Sequence, residues 1–401
     1  MVATALFRKS KGFTVTILPT LDKDSMETIK GSSAECIIIT DLGASYIKEL
    51  EELNKDVIVL DHHTLRDDSD KVVYVNPHID GNDGACGATI AFLLSIEMEE
   101  KNWDLVQIAL AGIVGDKQHL HGLSGCNQYI LREGIKRGYI STSEGSIIPT
   151  GQIVNSLYTS IDPYIRGVSG NFEGVKKILE EAGILSEGKF TFGNGGWRRL
   201  SSLIAIKLIK QGVTLDTMTE ITRRKYTLKD WAMDAETLAN ILDACGRQSF
   251  QWIGIGVCLG SKEALEKAKL LKEEYGKAIV NAAVELDKNK LRELENIQYF
   301  DSTGFTGILC GVAMRFIGNP NKPVIGIDCS DEKIKLSGRA TIALTKKGVN
   351  LAAALQQSAQ SVGGNGGGHD IASGGSIPNG SKEDFLRETD KIIGQQLKSA
   401  M

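Results

Sequence analysis

The chain has 401 residues with 46 Lys and Arg against 50 Asp and Glu, a net charge of −4, so any nucleic-acid partner must be held by a local groove rather than by the global field. The length predicts two or three domains, and no apolar run approaches the roughly 18–20 residues of a membrane span. Seven scattered Cys without a Cys-x-x-Cys pair, and a first stretch without the order of a secretory signal, argue against a structural zinc site and for a reducing, cytoplasmic setting.

The first part alternates apolar strands with amphipathic helices. Thr14 to Leu18, Cys36 to Thr40, Val57 to Leu60 and Val72 to Val75 read as strands, and Ser45 to Leu53 has the spacing of a surface helix. Strand, helix and strand in that order make the second and third strands parallel neighbours with a right-handed crossover. Their C-terminal ends then share one rim, which brings Asp41 and Asp61 together where parallel sheets keep their ligand chemistry. Gly84 to Ile96 and Asp104 to Val114 read as buried helices, the second delivering Asp116 to that rim.

From Gln128 to Leu242 the pattern is mostly helical, and Gln251 to Leu259 reads as a central strand. Glu263 to Glu295 is a long charged helix leading to a C-terminal domain from about Ile297. There Ile308 to Val312, Val324 to Ile327 and Lys333 to Ala340 read as strands. Val349 to Ser361 reads as a helix, followed by Gly363-Gly364-Asn365-Gly366-Gly367-Gly368-His369. The expected class is α/β: a parallel-sheet domain over 1–127, a helical extension over 128–260, a linker helix over 261–296 and a smaller α/β domain over 297–401.

Asp61-His62-His63, directly after an apolar strand, sets three ligand or acid–base groups on one loop. Asp41, His62 and Asp116 have the right types for one Mn²⁺ or Mg²⁺ ion. Such ions, in pairs, overcome the charge repulsion that protects a phosphodiester. His63 could then contact the phosphate while Asp61 orients a neighbouring imidazole. Taken alone, an Asp after a strand such as Asp41 is more often a helix cap than a ligand, a reading that gives way once Asp61-His62-His63 stands one βαβ unit later. The glycine run can expose successive N–H groups as an anion nest, and Arg339 can grip phosphate bidentately, although a pair with a surface acid is its bland reading. His119 and His121 read as solvent-exposed loop residues and His78 as part of a turn. Trp197-Arg198-Arg199 and Arg223-Arg224-Lys225 read equally as solvated helix faces or as a nucleic-acid path. Gly254-Ile255-Gly256 lacks the spacing of a dinucleotide fingerprint.

Leu60-Asp61-His62-His63-Thr64 resembles the namesake motif of the DHH phosphoesterase superfamily. Asp41 resembles its aspartate motif and Gly115-Asp116 its fourth motif. Ser337-Gly338-Arg339 and Gly366-Gly367-Gly368-His369 resemble the DHHA1 substrate domain. Length, the helical middle and Asn240 to Arg247 are most similar to archaeal RecJ-like proteins, including the GINS-associated nuclease. The resemblance implies Asp41 as a metal-bridging carboxylate, His62 and Asp116 as further ligands, and His63 on the scissile phosphate. It implies Ser337, Arg339, His369 and the N–H groups of Gly366 to Gly368 on the nucleic-acid backbone. The implied cofactor is Mn²⁺ or Mg²⁺ and the implied partner single-stranded DNA or RNA.

Family members begin with a strand ending in His-x-Asp-x-Asp, which this chain lacks, so at most one well-formed ion site is expected. A late start of the chain is the favoured reading of that gap. A natural non-catalytic scaffold for GINS-like partners of the replicative helicase is the alternative. A phosphodiesterase for short oligonucleotides or cyclic dinucleotides is a third reading, weighed down by the extra helical middle.

Overall fold

A computed structural model describes every residue except 19, 64–66, 83, 121, 187, 191, 192, 331, 400 and 401. His121 and part of the loop after His63 therefore lie outside the described residues. The chain forms two compact units, Met1–Gly145 with Arg223–Lys272, and Ser146–Thr222 with Glu273–Met401. The segment 128–260, read from sequence as one helical extension, is thus shared between them. A long-range pairing is the cause: strand Ile140–Ser143 runs antiparallel to Lys225–Leu228, and no local pattern announces a partner that distant. Among the described residues no helix is long and apolar enough to cross a membrane.

The first unit is built on a parallel sheet of β1 (Cys36–Thr40), β2 (Asp56–Leu60) and β3 (Val72–Val75), in that order. The helix Ile47–Glu51 makes the crossover between β1 and β2. Its Ile47 and Leu50 are buried with Ile39, Val57 and Val59. Thr40 pairs with Leu60 and Leu60 with Val75, so the three strands end level. Thr14 to Leu18, expected as a strand, joins no sheet. Its alternating apolar residues carry the propensity, but Val15 and Ile17 stay exposed, and a strand exists only where a neighbouring edge completes the ladder.

Helices α1 (Gly87–Met98) and α2 (Val106–Gly115) follow, with α3 (Ala235–Arg247) packed on α2 through Leu238 and Ile241. Gln251 to Leu259 is a correction: Gln251–Cys258 is a helix. Ile253 and Val257, one turn apart, are buried while Trp252 and Leu259 are exposed, the periodicity of a helix that an eight-residue apolar run does not reveal by itself. Helix α4 (Lys262–Asn289) is 28 residues long; Ala268 enters the core of the first unit, and Ala283 and Leu286 that of the second.

The second unit contains β4 (Gln298–Ser302), α5 (Thr306–Val312), β5 (Val324–Asp328), β6 (Lys333–Arg339), α6 (Leu351–Ser361), β7 (Asn365–Gly368), β8 (Ala372–Pro378) and α7 (Lys382–Ser399). The sheet runs β7-β8-β6-β5-β4, with the short strand Arg292–Glu293 beyond β4. Only β4 and β5 are parallel. Every residue of β5 is buried, as the apolar run predicts for a central strand. Ile308 to Val312, expected as a strand, is the helix α5. The apolar run continues through Ala313, Met314 and Phe316, too long for a strand between turns and spaced to bury Leu309, Val312 and Phe316 together.

Candidate metal centre and nucleic-acid surface

Backbone hydrogen bonds stitch the level strand ends of the first unit together. The Asp41 N–H donates to Leu60 O at 2.9 Å, and the Asp61 N–H donates to Val75 O at 3.2 Å. Asp41 takes a left-handed conformation, φ +62°, which Asp tolerates better than most residues. That twist lays its carboxylate against the start of α1. A Cβ at Gly87 would stand 2.4 Å from Asp41 Oδ1, so only glycine leaves room for the carboxylate there. Asp116 follows α2 directly, and Gln118 Nε2 donates to its Oδ2 at 3.0 Å.

These elements converge on His62. Its Nε2 lies 3.4 Å from Asp41 Oδ1 and 4.0 Å from Asp116 Oδ2. Asp41, His62 and His63 each offer a donor atom within 4.8 Å of the others. Ligand bonds of about 2.1 Å place two donors of one ion no more than about 4.2 Å apart, so small side-chain rotations close this set. Mixed imidazole and carboxylate donors suit Mn²⁺, and the carboxylates alone also suit Mg²⁺. His63, expected only on the phosphate, is therefore also within coordination reach.

Asp61 is outside that donor set and almost fully buried. Its Oδ1 accepts from the His62 N–H (2.8 Å), the His63 N–H (3.2 Å) and His63 Nδ1 (2.7 Å), and its Oδ2 accepts from the Ala44 N–H (2.9 Å). Burial pushes the carboxyl up, but the His63 side chain and the Ala44 N–H outweigh it and hold the pKa down at about 2. The same hydrogen bond to Asp61, against the opposing effect of burial, raises the pKa of His63. Asp61 thus fixes the imidazole through Nδ1 and stabilises its charged form.

Sequence reading missed two features of this site. His78 does lie in a turn, but its ring is 6.3 Å from that of His62, with 27° between the planes. Its sequence signal is position alone: Asn76-Pro77-His78 follows the third strand as Asp41 follows the first. His119 is a correction, being buried rather than solvent-exposed. Its Nε2 accepts from Arg223 Nε at 3.0 Å. Burial first, and then the Arg223 charge, push its pKa down to about 4. Arg223 also pairs with Glu236, as does Lys225 at 2.7 Å, so these two cations form an internal network rather than a solvated face or a strand path.

In the second unit the register places Gly367 opposite Gly374, and Gly374 opposite Ser337. Directly opposed residues share one face of a sheet, and Arg339, two residues on from Ser337, lies on it too. On the other face a Cβ at Gly366 would stand 2.5 Å from Leu355 O of α6. At Gly367 it would meet nothing within 4 Å, and at Gly307 it would stand 3.6 Å from Ser337 Oγ and 3.7 Å from Arg339 Nη2. Gly367 and Gly374 therefore floor a shallow trough walled by Ser337, Arg339 and the start of α5. Arg339 Nη1 donates to Gly338 O. His369 is exposed at the turn between β7 and β8, its N–H donating to Ala372 O at 2.9 Å. The expected anion nest is corrected: Gly366 to Gly368 are an extended edge strand, whose successive N–H groups point to opposite sides and cannot converge on one anion.

Family models match at both ends of the chain, "DHH family, N-terminal domain" over residues 2–113 and "DHHA1 domain" over residues 297–395. An uncharacterized protein of Methanocaldococcus jannaschii is 30% identical over 99% of this chain and 90% of its own length. The chain belongs to the DHH–DHHA1 family. This DHH–DHHA1 chain also resembles the solved structure of Thermus thermophilus RecJ in complex with Mn²⁺ (TM-score 0.60, 16% identity), matching 98% of itself and 50% of that protein. It spans about half the length of that RecJ. CDC45 from Entamoeba histolytica matches equally well in fold (TM-score 0.60, 12% identity), over 98% of this chain and 92% of that one. At these identities the likeness establishes a shared RecJ-like fold.

Proposed function

We propose that the protein hydrolyses phosphodiester bonds in single-stranded nucleic acid, with Mn²⁺ or Mg²⁺ held by Asp41, His62 and Asp116. The observation that carries this reading is the convergence of Asp41, His63 and Asp116 on His62, four side chains from three separate loops, at the level ends of a parallel sheet. A bound ion would supply Lewis-acid stabilisation of charge on the phosphoryl oxygens. His63, held through Nδ1 by Asp61, would present its other nitrogen to a phosphoryl oxygen of the scissile group. In the second unit Ser337, Arg339 and His369 would hold backbone phosphates, with the glycine floor letting the strand lie close.

The test is release of mononucleotides from labelled single-stranded DNA and RNA, with and without Mn²⁺. Asp41→Ala and His62→Ala should each abolish metal-dependent release. Absence of metal-dependent release from the unaltered protein on both substrates overturns the hydrolase reading.

A second reading, a non-catalytic replisome scaffold, is favoured by one observation: the donors gathered among the described residues serve one ion, whereas phosphodiester cleavage of this kind uses two. Stoichiometric capture of a GINS-like partner by both the unaltered protein and Asp41→Ala, with no nuclease activity in either, would support it.

A further inference from the structure

We infer that His78 is a substrate-contacting residue of the first unit, donating a ring N–H to the phosphate next to the one at the ion; this rests on the hydrolase reading. All three strands of the parallel sheet end level. The first end carries Asp41, the second Asp61 to His63, and the third Asn76 to His78. The His78 ring lies beside the ligand imidazole of His62, 6.3 Å between centroids and 27° from parallel. It is outside the donor set of Asp41, His62 and His63. His78 therefore stands next along the rim from the ligand imidazole, within reach of a phosphate adjacent to the one at the centre.

Its placement is rigid. Asn76 is buried, and its side chain ties the two loops together: Oδ1 accepts from the His78 N–H at 3.0 Å, and Nδ2 donates to His63 O at 2.8 Å. Pro77 opens the short helical turn Pro77–Asp80, and Gly81 in the left-handed region closes it. Any shift of the His78 backbone would be felt at His63. The His78 side chain itself is exposed, so the backbone that carries an exposed imidazole is anchored to the loop of the centre. An imidazole carries at least one N–H in either protonation state, which matches the acceptor-only phosphate backbone.

The experiment measures two affinities separately for the full chain and for His78→Ala and His78→Gln. These are Mn²⁺ binding by calorimetry, and binding of a non-cleavable phosphorothioate single strand in the presence of Mn²⁺. The unaltered protein should bind both. His78→Ala should bind Mn²⁺ within about twofold of it yet lose about tenfold in strand affinity, the scale of one hydrogen bond to a charged acceptor. His78→Gln, which keeps an N–H donor, should recover to within about threefold. Unchanged strand affinity in His78→Ala overturns the assignment, as does a parallel fall in Mn²⁺ affinity, which would make His78 part of the ion site. An unaltered protein that binds neither ion nor strand instead removes the hydrolase reading beneath it.

Discussion

Replacing Asp61 by Asn removes one charge and one acceptor edge while leaving the side-chain volume almost unchanged. Three donors converge on Oδ1 and one, the Ala44 N–H, on Oδ2 at 2.9 Å. The amide oxygen would take the side with three donors, which turns the new NH₂ against the Ala44 N–H in a site that is 1% exposed. One orphaned buried donor costs about 1–3 kcal/mol. The three surviving bonds also fall from charge-assisted to neutral, roughly halving their strength. A total destabilisation of about 2–4 kcal/mol follows, read by urea unfolding. Without the carboxylate the His63 imidazole also loses its anchor. Its pKa, followed by NMR, should fall back toward the ordinary value, and single-strand affinity in the presence of Mn²⁺ should drop, because the imidazole placed on the phosphate is no longer oriented. A folded Asp61→Asn protein with unaltered unfolding midpoint and unaltered His63 pKa would refute the view that this carboxylate organises the centre.

His119 sets a separate acid limit. Its folded pKa of about 4 lies below the ordinary 6.5, so as the pH drops the unfolded chain takes up a proton that the folded chain refuses. The stability is complete above about pH 6.5 and is lost as the pH falls toward 4, by about 3 kcal/mol over that gap. His119→Gln keeps an acceptor for Arg223 and does not titrate, so denaturation at pH 7 and 4.5 should show about that much less acid loss in the variant. Gly366→Ala should cost about 1–3 kcal/mol by forcing a methyl against Leu355 O, whereas Gly367→Ala should stay within about 0.5 kcal/mol in the same unfolding assay. Gly367→Leu should keep the unfolding midpoint but weaken single-strand binding, measured by fluorescence anisotropy, by filling the trough.

The parallel sheet and the loops at its C-terminal ends were legible because each rests on local pattern. A run such as Cys36 to Thr40 followed by an acidic residue needs only the βαβ rule to place Asp41 beside Asp61. Gln251–Cys258 and Ile308 to Val312 misled for the opposite reason. Short apolar runs carry no periodicity of their own, and burial of Val257 or Leu309 one turn from its neighbour becomes visible only in the fold. His119 looked like a loop histidine because its partners, Arg223 and Glu236, lie more than a hundred residues away.

The two candidate surfaces also differ in how directly a motif reports its geometry. Asp61, His62 and His63 sit on one strand end, so their adjacency in sequence is their adjacency in space. The glycine run is different, because its use depends on register. Gly366 and Gly367 are neighbours in the chain yet face opposite sides of β7, one against α6 and one open. Ser337 reaches the same row only through Gly374 on the intervening strand. A motif of consecutive glycines therefore combines two physical demands, close packing on one face and an unobstructed floor on the other. Substituting Gly366 and Gly367 separately distinguishes them, since only the first should unfold the domain more easily and only the second should bear on the bound strand.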